Sequence, residues 1–194
     1  MTDSRGPFIV MGVSGCGKST IAQLLAESIG VEFLDADDFH PTANKTKMAT
    51  GVPLNDCDRW PWLDALNKLL RDRAAQSQTT VLACSALRQA YRDVLAQELE
   101  TATFIYLAGS KAEIQARVEA RSGHFMPSTL LDSQFATLEE PTDAIRISIA
   151  QSPEKIVAQI RASLRIPSRE ARRRASALPS VIADSPPEPP VGSA

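Results

Sequence analysis

The chain has 194 residues, of which 43% are hydrophobic and 23% charged, and its formal net charge is −2. This size predicts one globular domain with an appendage, and the near-neutral charge excludes a protein that binds nucleic acid through bulk electrostatics. The three cysteines are widely spaced and form no C-x-x-C pair, which favours a cytoplasmic protein with reduced thiols over a disulfide or zinc framework. The first apolar run, at residues 8–13, is too short for a signal peptide or a membrane span.

Five short apolar runs rich in β-branched residues predict strands, at residues 7–11, 31–34, 79–84, 103–107 and 145–149. Helical periodicity fills the gaps, with helices from the glycine-rich loop to Gly30, from about Pro61, near 88–99, after Ser110, near 128–138 and at 152–164. Strands that alternate with helices need crossover connections. The sequence therefore predicts an α/β fold, in which a five-stranded parallel sheet is flanked by helices on both faces.

A glycine-rich loop, GVSGCGKST at residues 12–20, stands between the first predicted strand and the first predicted helix. Its G-x-x-x-x-G-K-S spacing is a complete Walker A pattern, in which glycines let backbone amides turn toward phosphate oxygens. Lys18 suits the β- and γ-phosphates, and Ser19 offers a hydroxyl ligand to Mg²⁺. We therefore expect ATP with Mg²⁺ here; the alternative is a simple glycine-rich turn. The expected ATP-binding residues are Gly12, Val13, Ser14, Gly15, Cys16, Gly17, Lys18, Ser19 and Thr20.

Two aspartates follow the second predicted strand, in the segment FLDADDFH. Asp35 and Asp37 stand at the carboxyl end of that strand, on the edge where open α/β sheets bind ligands. The third predicted strand ends without an acid, so Asp35 is the expected metal ligand together with Ser19. Asp37 is the expected acceptor of the proton from an attacking hydroxyl group. The alternative for such a pair is a helix cap or an exposed loop.

Four segments of the chain occur in a recognisable order: MGVSGCGKS, then FLDADDFHPTANKTKMATGVPLNDCDRWPWL at residues 33–63, CSALRQAYRD and ARSGHFM. Together they strongly resemble the gluconate kinase family, and the resemblance covers most of residues 8–165. Shikimate kinases and nucleoside monophosphate kinases share the phosphate loop and the strand-end aspartate but not the 33–63 segment. The resemblance implies a P-loop kinase fold with a lid segment, a homodimer, and transfer of the ATP γ-phosphoryl group to the 6-hydroxyl of D-gluconate.

The resemblance also assigns roles to two arginines in RVEARSGHF, a segment with lid character. Arg117 and Arg121 are four residues apart, hence on one face of a helix. In related kinases a mobile lid brings arginines over the triphosphate, where they stabilise the charge that develops during transfer. The expected catalytic residues are therefore Lys18, Asp37, Arg117 and Arg121, with the adenine beside residues 150–153. The alternative for the two arginines is an exposed surface pair.

Gluconate is an anionic polyol, so its site needs a cation for the carboxylate and polar groups for the hydroxyls. Arg59 stands where related kinases place a carboxylate-binding arginine, and two further arginines follow the third predicted strand at the same sheet edge. Which of the three arginines binds the carboxylate stays open. For Arg88 and Arg92, the alternative is that one of them is only a solvated charge on a helix. The expected substrate-binding residues are Asp37, His40, Arg59, Ser85, Arg88 and Arg92. The alternatives are a structural role for His40 and a helix cap for Ser85.

Residues 167–194 hold six of the thirteen prolines, include the runs REARRR and SPPEPPVGSA, and show no periodicity. We expect a disordered tail beyond a kinase domain at 1–166, because such a segment buries too little apolar surface to offset the entropy of ordering. Two other functions stay open. One is a shikimate-type small-molecule kinase, and the other is a nucleotide-binding regulatory protein whose tail engages an acidic partner.

Overall fold

Five strands form a parallel sheet in the computed structural model of the protein, which describes residues 6–50, 52–120 and 128–166. The strands are β1 (Phe8–Met11), β2 (Glu32–Asp35), β3 (Thr80–Ala83), β4 (Thr103–Ala108) and β5 (Ile145–Ser148). They lie in the order β2–β3–β1–β4–β5, and each neighbouring pair is parallel. The predicted five-stranded parallel sheet is confirmed, and each strand end lies within one residue of its predicted position.

Helices cover both faces of this sheet, as predicted. In the described part of the chain they are α1 (Lys18–Ile29), α2 (Thr42–Ala49), α3 (Asp56–Ala75), α4 (Gln89–Ala96), α5 (Lys111–Glu119), α6 (Ser128–Thr137) and α7 (Pro153–Ser163). Helices α1 and α7 contact each other over one face, and α3 and α4 contact each other over the opposite face. Side chains of the central strand β1 alternate between the two cores, with Phe8 and Val10 in the first and Ile9 and Met11 in the second.

Helix α3 begins at Asp56, so the start predicted near Pro61 is wrong. The Asn55 side chain accepts a hydrogen bond from the Asp58 backbone N–H at 3.0 Å, and the Asp58 carboxylate accepts one from the Asn55 N–H at 3.0 Å. This reciprocal capping box satisfies two N–H groups that the helix itself cannot, and it outweighs the preference of proline for a first turn. Pro61 therefore lies inside the helix, and Asp56 and Arg59 lie on its first turns.

The carboxyl ends of the strands bring the segments of interest to one edge of the sheet. Strand β1 runs into the glycine-rich loop, and β2 ends at Asp35. Two residues beyond the end of β3 lies Ser85, whose carbonyl group accepts a hydrogen bond from the Gly12 N–H at 3.3 Å. The phosphate loop and the two strands beside it are therefore held together by backbone contacts.

In the sequence, helix α5 comes before residues 121–127 and helix α6 comes after them. Helix α5 follows Ser110, as predicted, and begins with a capping box: the Ser110 hydroxyl accepts a hydrogen bond from the Glu113 N–H at 3.2 Å, and the Glu113 carboxylate accepts one from the Ser110 N–H at 2.8 Å. Residues 121–125 of the predicted lid segment, with Arg121, and the predicted tail at 167–194 lie outside the described residues. Among the helices that are described, none combines the length and apolar character of a membrane span.

Candidate active site

The glycine-rich loop has a backbone conformation that favours glycine. The φ angle is +142° at Gly12, +84° at Gly15 and +101° at Gly17, a region that residues with a side chain rarely adopt. At Gly12 space is also limiting, because an added Cβ would lie 2.9 Å from Sγ of Cys16 and 3.0 Å from the carbonyl oxygen of Leu107. Gly17 is the N-cap of α1, so the unpaired N–H groups of the first helical turn adjoin the loop. This geometry fits an anion such as a polyphosphate.

Lys18 and Ser19 open helix α1 and contact two different parts of the site. Nζ of Lys18 donates to the carbonyl oxygen of Val13 at 3.1 Å, which holds the cation against the loop. The Ser19 hydroxyl donates to Oδ2 of Asp35 at 2.7 Å, which links α1 to the end of β2. A hydroxyl beside a carboxylate is an oxygen donor set that fits Mg²⁺, which takes most of its other ligands from water and phosphate. The described residues contain no cluster of three or more His, Cys, Asp or Glu that could hold a metal.

Asp37 lies on a 3₁₀ turn, Ala36–Phe39, that follows β2 directly. Oδ1 of Asp35 accepts a hydrogen bond from the Asp37 N–H at 3.1 Å, so Asp35 caps this turn and the capping alternative does not apply to Asp37. The Asp37 side chain is 83% exposed. Burial raises the pKa of the Cys84 thiol at the end of β3 to about 12, and the charges of Lys18, Asp37 and Asp35 also act on this pKa. Lys18, Asp35 and Asp37 are therefore each close enough to the Cys84 thiol to act on its pKa.

His40 packs in the interior beside Asp37. Its ring stacks on Trp62 with 4.1 Å between ring centroids, and its Nδ1 lies 3.5 Å from the side-chain nitrogen of Asn44. Its Nε2 lies 3.8 Å from Oδ1 of Asp37. Burial lowers the pKa of His40, so the ring is neutral at pH 7. These contacts support the structural alternative for His40 over direct binding of sugar hydroxyls.

Two arginines meet around Asp56 and Tyr91, and we call the four residues Asp56, Arg59, Arg88 and Tyr91 the arginine clamp. Nη1 of Arg88 donates to Oδ2 of Asp56 at 2.7 Å, and the Tyr91 hydroxyl donates to Oδ1 at 2.6 Å. Nη1 of Arg59 donates to the Tyr91 hydroxyl at 3.3 Å and lies 3.5 Å from Oδ1 of Asp56. Two of the three arginines expected at the acceptor carboxylate are thus brought together, with two partners that the sequence reasoning missed.

The protonation states of the clamp follow from these contacts. The hydrogen bond from Tyr91, together with the charges of Arg88 and Arg59, lowers the pKa of Asp56, so its carboxylate is ionised at neutral pH. Burial, and next the hydrogen bond to Asp56, raises the pKa of Tyr91. The hydroxyl group therefore keeps its proton and remains a donor to Asp56.

Arg92 lies in the interior instead of the cleft, which corrects the prediction that it binds substrate. The residue is 2% exposed. Its Nη1 donates to the carbonyl oxygens of Ala86 and Leu87 at 3.0 and 3.2 Å, and its Nη2 donates to the Gln89 side chain at 2.7 Å. Arg92 therefore fastens the connection between β3 and α4 from inside.

Replacing Arg92 with methionine is expected to destabilise the protein without weakening acceptor binding. Methionine keeps an unbranched, largely apolar side chain but is shorter and has no N–H donor, so it leaves the carbonyl groups of Ala86 and Leu87 without their partner, at a cost of about 1–3 kcal/mol. Urea unfolding measures this loss, and Arg71→Met, which removes an exposed ion pair with Glu98, is the matched control. If Arg92→Met instead left the stability unaltered and raised the KM for the acceptor, Arg92 would be a substrate-binding residue after all.

Ser85 and Arg117 both lie at the sheet edge. Ser85 does not cap α4, because Arg88 is the N-cap residue of that helix. The carbonyl oxygen of Ser85 accepts the hydrogen bond from the Gly12 N–H of the phosphate loop. Near the end of α5, Nη2 of Arg117 donates to the carbonyl oxygen of Ile149, just beyond β5. Arg117 therefore joins the helix before residues 121–127 to the segment where the adenine is expected.

Gln134 on α6 is a further contact of the phosphate loop that the sequence reasoning missed. Its side-chain oxygen accepts a hydrogen bond from the Ser14 backbone N–H at 2.6 Å, across 120 positions of the chain. Five residues later, the Glu139 carboxylate accepts from the Gln89 N–H at 2.6 Å at the start of α4. No local pattern in the sequence pairs these residues. The segment from Gln134 to Glu139 thus contacts both the phosphate loop and the connection that carries Arg88.

The three thiols differ in exposure, which predicts their reactivity. Cys16 and Cys84 are buried, and burial raises the pKa of each, whereas Cys57 on the first turn of α3 is exposed. A thiol reagent such as Ellman's reagent should therefore modify Cys57 in the native protein and all three cysteines only after unfolding. Cys57→Ser is the control and should abolish the native reaction. Rapid native modification of Cys16 would contradict the buried position of this residue.

Comparison with known proteins identifies relatives of this arrangement. Residues 8–141 match a protein family described as "AAA domain". A protein named "Probable gluconokinase" from Mus musculus is 42% identical over 183 residues, which cover 84% of this chain and 100% of the relative. The "Thermoresistant gluconokinase" of Escherichia coli (strain K12) is 43% identical over 155 residues, which cover 78% of this chain and 89% of the relative.

The fold is also that of a solved relative. The crystal structure of a gluconokinase from Sinorhizobium meliloti 1021 matches with a TM-score of 0.76 and 38% identity, over 88% of this chain and 97% of that one. The family match over residues 8–141 includes the phosphate loop, the strand-end aspartates and the start of α3 together. The chain therefore belongs to the gluconokinase family of P-loop kinases.

Proposed function

We propose that this protein transfers the γ-phosphoryl group of ATP to the 6-hydroxyl of D-gluconate, giving 6-phospho-D-gluconate and ADP. The names of the relatives support this reaction. The observation that carries the proposal is the 2.7 Å hydrogen bond from Ser19 to Asp35, which ties the phosphate loop to the strand end that leads to Asp37. Phosphoryl transfer needs the triphosphate and the acceptor hydroxyl side by side, and this contact joins the segments proposed to hold them.

In this proposal the glycine-rich loop binds ATP by its phosphates, through the backbone amides of residues 12–20 and the Lys18 ammonium group. Ser19 and Asp35 hold Mg²⁺, which neutralises charge on the phosphate oxygens when it is bound. Arg117 lies on the nucleotide side, where its contact with the Ile149 carbonyl supports it. By the family resemblance, Arg121 completes the catalytic group from residues 121–127.

Asp37 orients the acceptor hydroxyl group and takes its proton. The bond between the C6 oxygen and the γ-phosphorus forms while the bond from that phosphorus to the β–γ bridging oxygen breaks, and ADP leaves with the electron pair. An alcohol is too weak an acid to ionise beforehand, so the proton moves to Asp37 late in a loose transition state. Lys18 and the lid arginines offset the charge on the phosphoryl oxygens.

The acceptor carboxylate binds at the other end of the six-carbon chain, between Arg59 and Arg88. Guanidinium groups suit this task because each can donate two parallel hydrogen bonds to a carboxylate. Ser85, half-buried beyond the end of β3, is the proposed partner for a substrate hydroxyl. His40 packs behind Asp37 instead of binding the sugar directly.

The proposed catalytic unit is the kinase domain at residues 1–166, without the tail at 167–194. The family match at residues 8–141 falls inside this unit and supports its assignment. We also propose, on the family resemblance, that the protein works as a homodimer in the cytoplasm. Light scattering on the purified protein measures the oligomeric state independently of activity.

A panel of acceptors tests the proposed reaction. ADP formation is followed by a coupled assay with D-gluconate, shikimate, D-glucose and AMP, each over a range of concentrations with ATP and Mg²⁺. We expect D-gluconate to have by far the highest kcat/KM. A higher kcat/KM for shikimate would favour the rival kinase, and ATP binding without turnover of any acceptor would favour a regulatory protein.

A further inference from the structure

Asp56 and Tyr91 take no part in the reaction proposed above, yet they contact both arginines on the acceptor side. Asp56 accepts hydrogen bonds from Arg88 and Tyr91, and the Tyr91 hydroxyl accepts one from Arg59. A chain of three hydrogen bonds thus runs from one guanidinium group to the other through a single carboxylate. We propose that Asp56 and Tyr91 are positioning residues that hold Arg59 and Arg88 as a preformed pair for one carboxylate group, an inference that rests on the proposed function.

The clamp holds two positively charged guanidinium groups, those of Arg59 and Arg88, close to each other. Two guanidinium groups repel each other unless an anion lies between them, and Asp56 supplies that anion from the protein side. The Tyr91 ring adds a second shared contact, with its centroid 5.8 Å from the guanidinium carbon of Arg59 and 5.9 Å from that of Arg88. The pair is therefore assembled before a ligand arrives, and preorganisation of this kind lowers the cost of binding.

The contacts within the clamp leave donors for a ligand. They engage Nη1 of each arginine, whereas a guanidinium group carries five N–H donors in a planar fork. The side chains of Arg59 and Arg88 are 30% and 43% exposed. A carboxylate can therefore approach from the solvent side and accept paired hydrogen bonds.

The charges of the clamp also suit its ligand. Two arginines and one ionised aspartate carry one net positive charge, which matches the single negative charge of a sugar monocarboxylate. A neutral sugar or polyol of the same length offers no charge to offset it. The clamp should therefore favour sugar acids over their neutral analogues.

A mainly stabilising role for Asp56 fits the structure less well. The side chain is 40% exposed, and ion pairs at such positions contribute little to the free energy of unfolding. The start of α3 already has its cap, which Asn55 and Asp58 provide. The arrangement is better explained by what it does for the two arginines.

The substitution Asp56→Asn tests the inference with little change in shape. Asparagine keeps one oxygen for Tyr91 but turns a donor nitrogen toward Arg88. We expect the KM for gluconate to rise about tenfold, and kcat and the KM for ATP to change less than about threefold, because the clamp binds the end of the acceptor that does not react. Asp56→Asn also removes a negative charge from the clamp, and the resulting extra positive charge acts to lower the KM for gluconate. This effect is small because the clamp is partly exposed and its charge is screened by salt.

The substitution Tyr91→Phe keeps the ring and removes the hydroxyl group that joins Arg59 to Asp56. If the clamp acts as one unit, adding Tyr91→Phe to Asp56→Asn should have little further effect. The KM for gluconate in this double variant should be no more than about twofold above that of Asp56→Asn alone. The inhibition constant of D-glucitol, the neutral hexitol, should be the same in the wild type and in Asp56→Asn. An inhibition constant that rises together with the KM for gluconate would mean that Asp56 contacts a sugar hydroxyl, and would overturn the inference.

Asp72→Asn is the matched control, because it removes the same charge from the same helix at an exposed pair with Lys68. It should leave the KM for gluconate unaltered, and unfolding curves check that each variant folds. An unaltered KM in Asp56→Asn, an equal rise in the KM for ATP, or single effects that multiply in the double variant would overturn the inference. A wild-type protein that does not phosphorylate gluconate would instead overturn the proposed function itself.

Discussion

Replacing Asp37 with asparagine is expected to lower kcat for gluconate phosphorylation by about 10²–10⁴-fold. Asparagine keeps the size of the side chain and can accept a hydrogen bond, but it cannot take a proton at neutral pH. The fold should be unaffected, because the Asp37 carboxylate is exposed and the turn that carries it is capped by Asp35. The KM for ATP should stay close to the wild-type value, since the phosphate loop is untouched.

Asp38→Asn is the matched control for this experiment. Asp38 is exposed on the same 3₁₀ turn, and its backbone carbonyl, not its carboxylate, accepts the hydrogen bond from Nζ of Lys45 at 2.9 Å. Its substitution should leave kcat unaltered. Steady-state kinetics of both variants therefore separate proton transfer from a general loss of negative charge. An Asp37→Asn enzyme that retains most of the wild-type kcat would remove Asp37 from the catalytic group.

Replacing Lys18 with methionine is expected to lower kcat on the order of 10³-fold. Methionine matches the length of lysine but has no charge to offset the negative charge that develops on the transferred phosphoryl group. The hydrogen bond from Nζ to the Val13 carbonyl keeps the cation at the loop in the structure, so it is placed for this task before ATP binds. Affinity for ATP should fall less than kcat, because the backbone amides of the loop remain.

Lys68→Met provides the comparison for Lys18→Met. Lys68 forms an exposed pair with Asp72 at 2.8 Å on α3, so its loss changes the net charge equally without touching the loop. Kinetics at saturating ATP and gluconate, together with nucleotide binding by calorimetry, measure both quantities. If Lys18→Met and Lys68→Met gave the same kcat, the loop lysine would have no part in transfer.

Short-range patterns were enough to predict the nucleotide side of the site. The loop at residues 12–20 combines glycines at positive φ with a lysine and a serine at the first helical positions, and each of these requirements can be read locally. Asp35 follows in the next strand, and parallel strands end at a common edge. The order of the elements alone therefore places Ser19 and Asp35 at the same edge, where the structure joins them by a hydrogen bond.

Long-range packing decided the parts of the site that sequence reasoning missed. Arg88 and Arg92 look alike in the sequence, but α4 begins at Gln89, which leaves Arg88 outside the helix while Arg92 packs into the interior. The hydroxyl of Tyr91 meets Asp56 only because α3 and α4 lie side by side. The start of α3 was a local error: the proline preference for a first turn competed with a capping box that begins six residues earlier, at Asn55, and the capping box prevailed.

The most direct test is phosphorus NMR of the reaction of ATP with carbon-13-labelled D-gluconate and Mg²⁺. We predict a single new phosphomonoester whose phosphorus couples to C6, which appears as fast as ADP and is lost in the Asp37→Asn variant. A phosphate on any other carbon, or release of inorganic phosphate while gluconate stays unchanged, would contradict the placement of the acceptor between Asp37 and the arginine clamp.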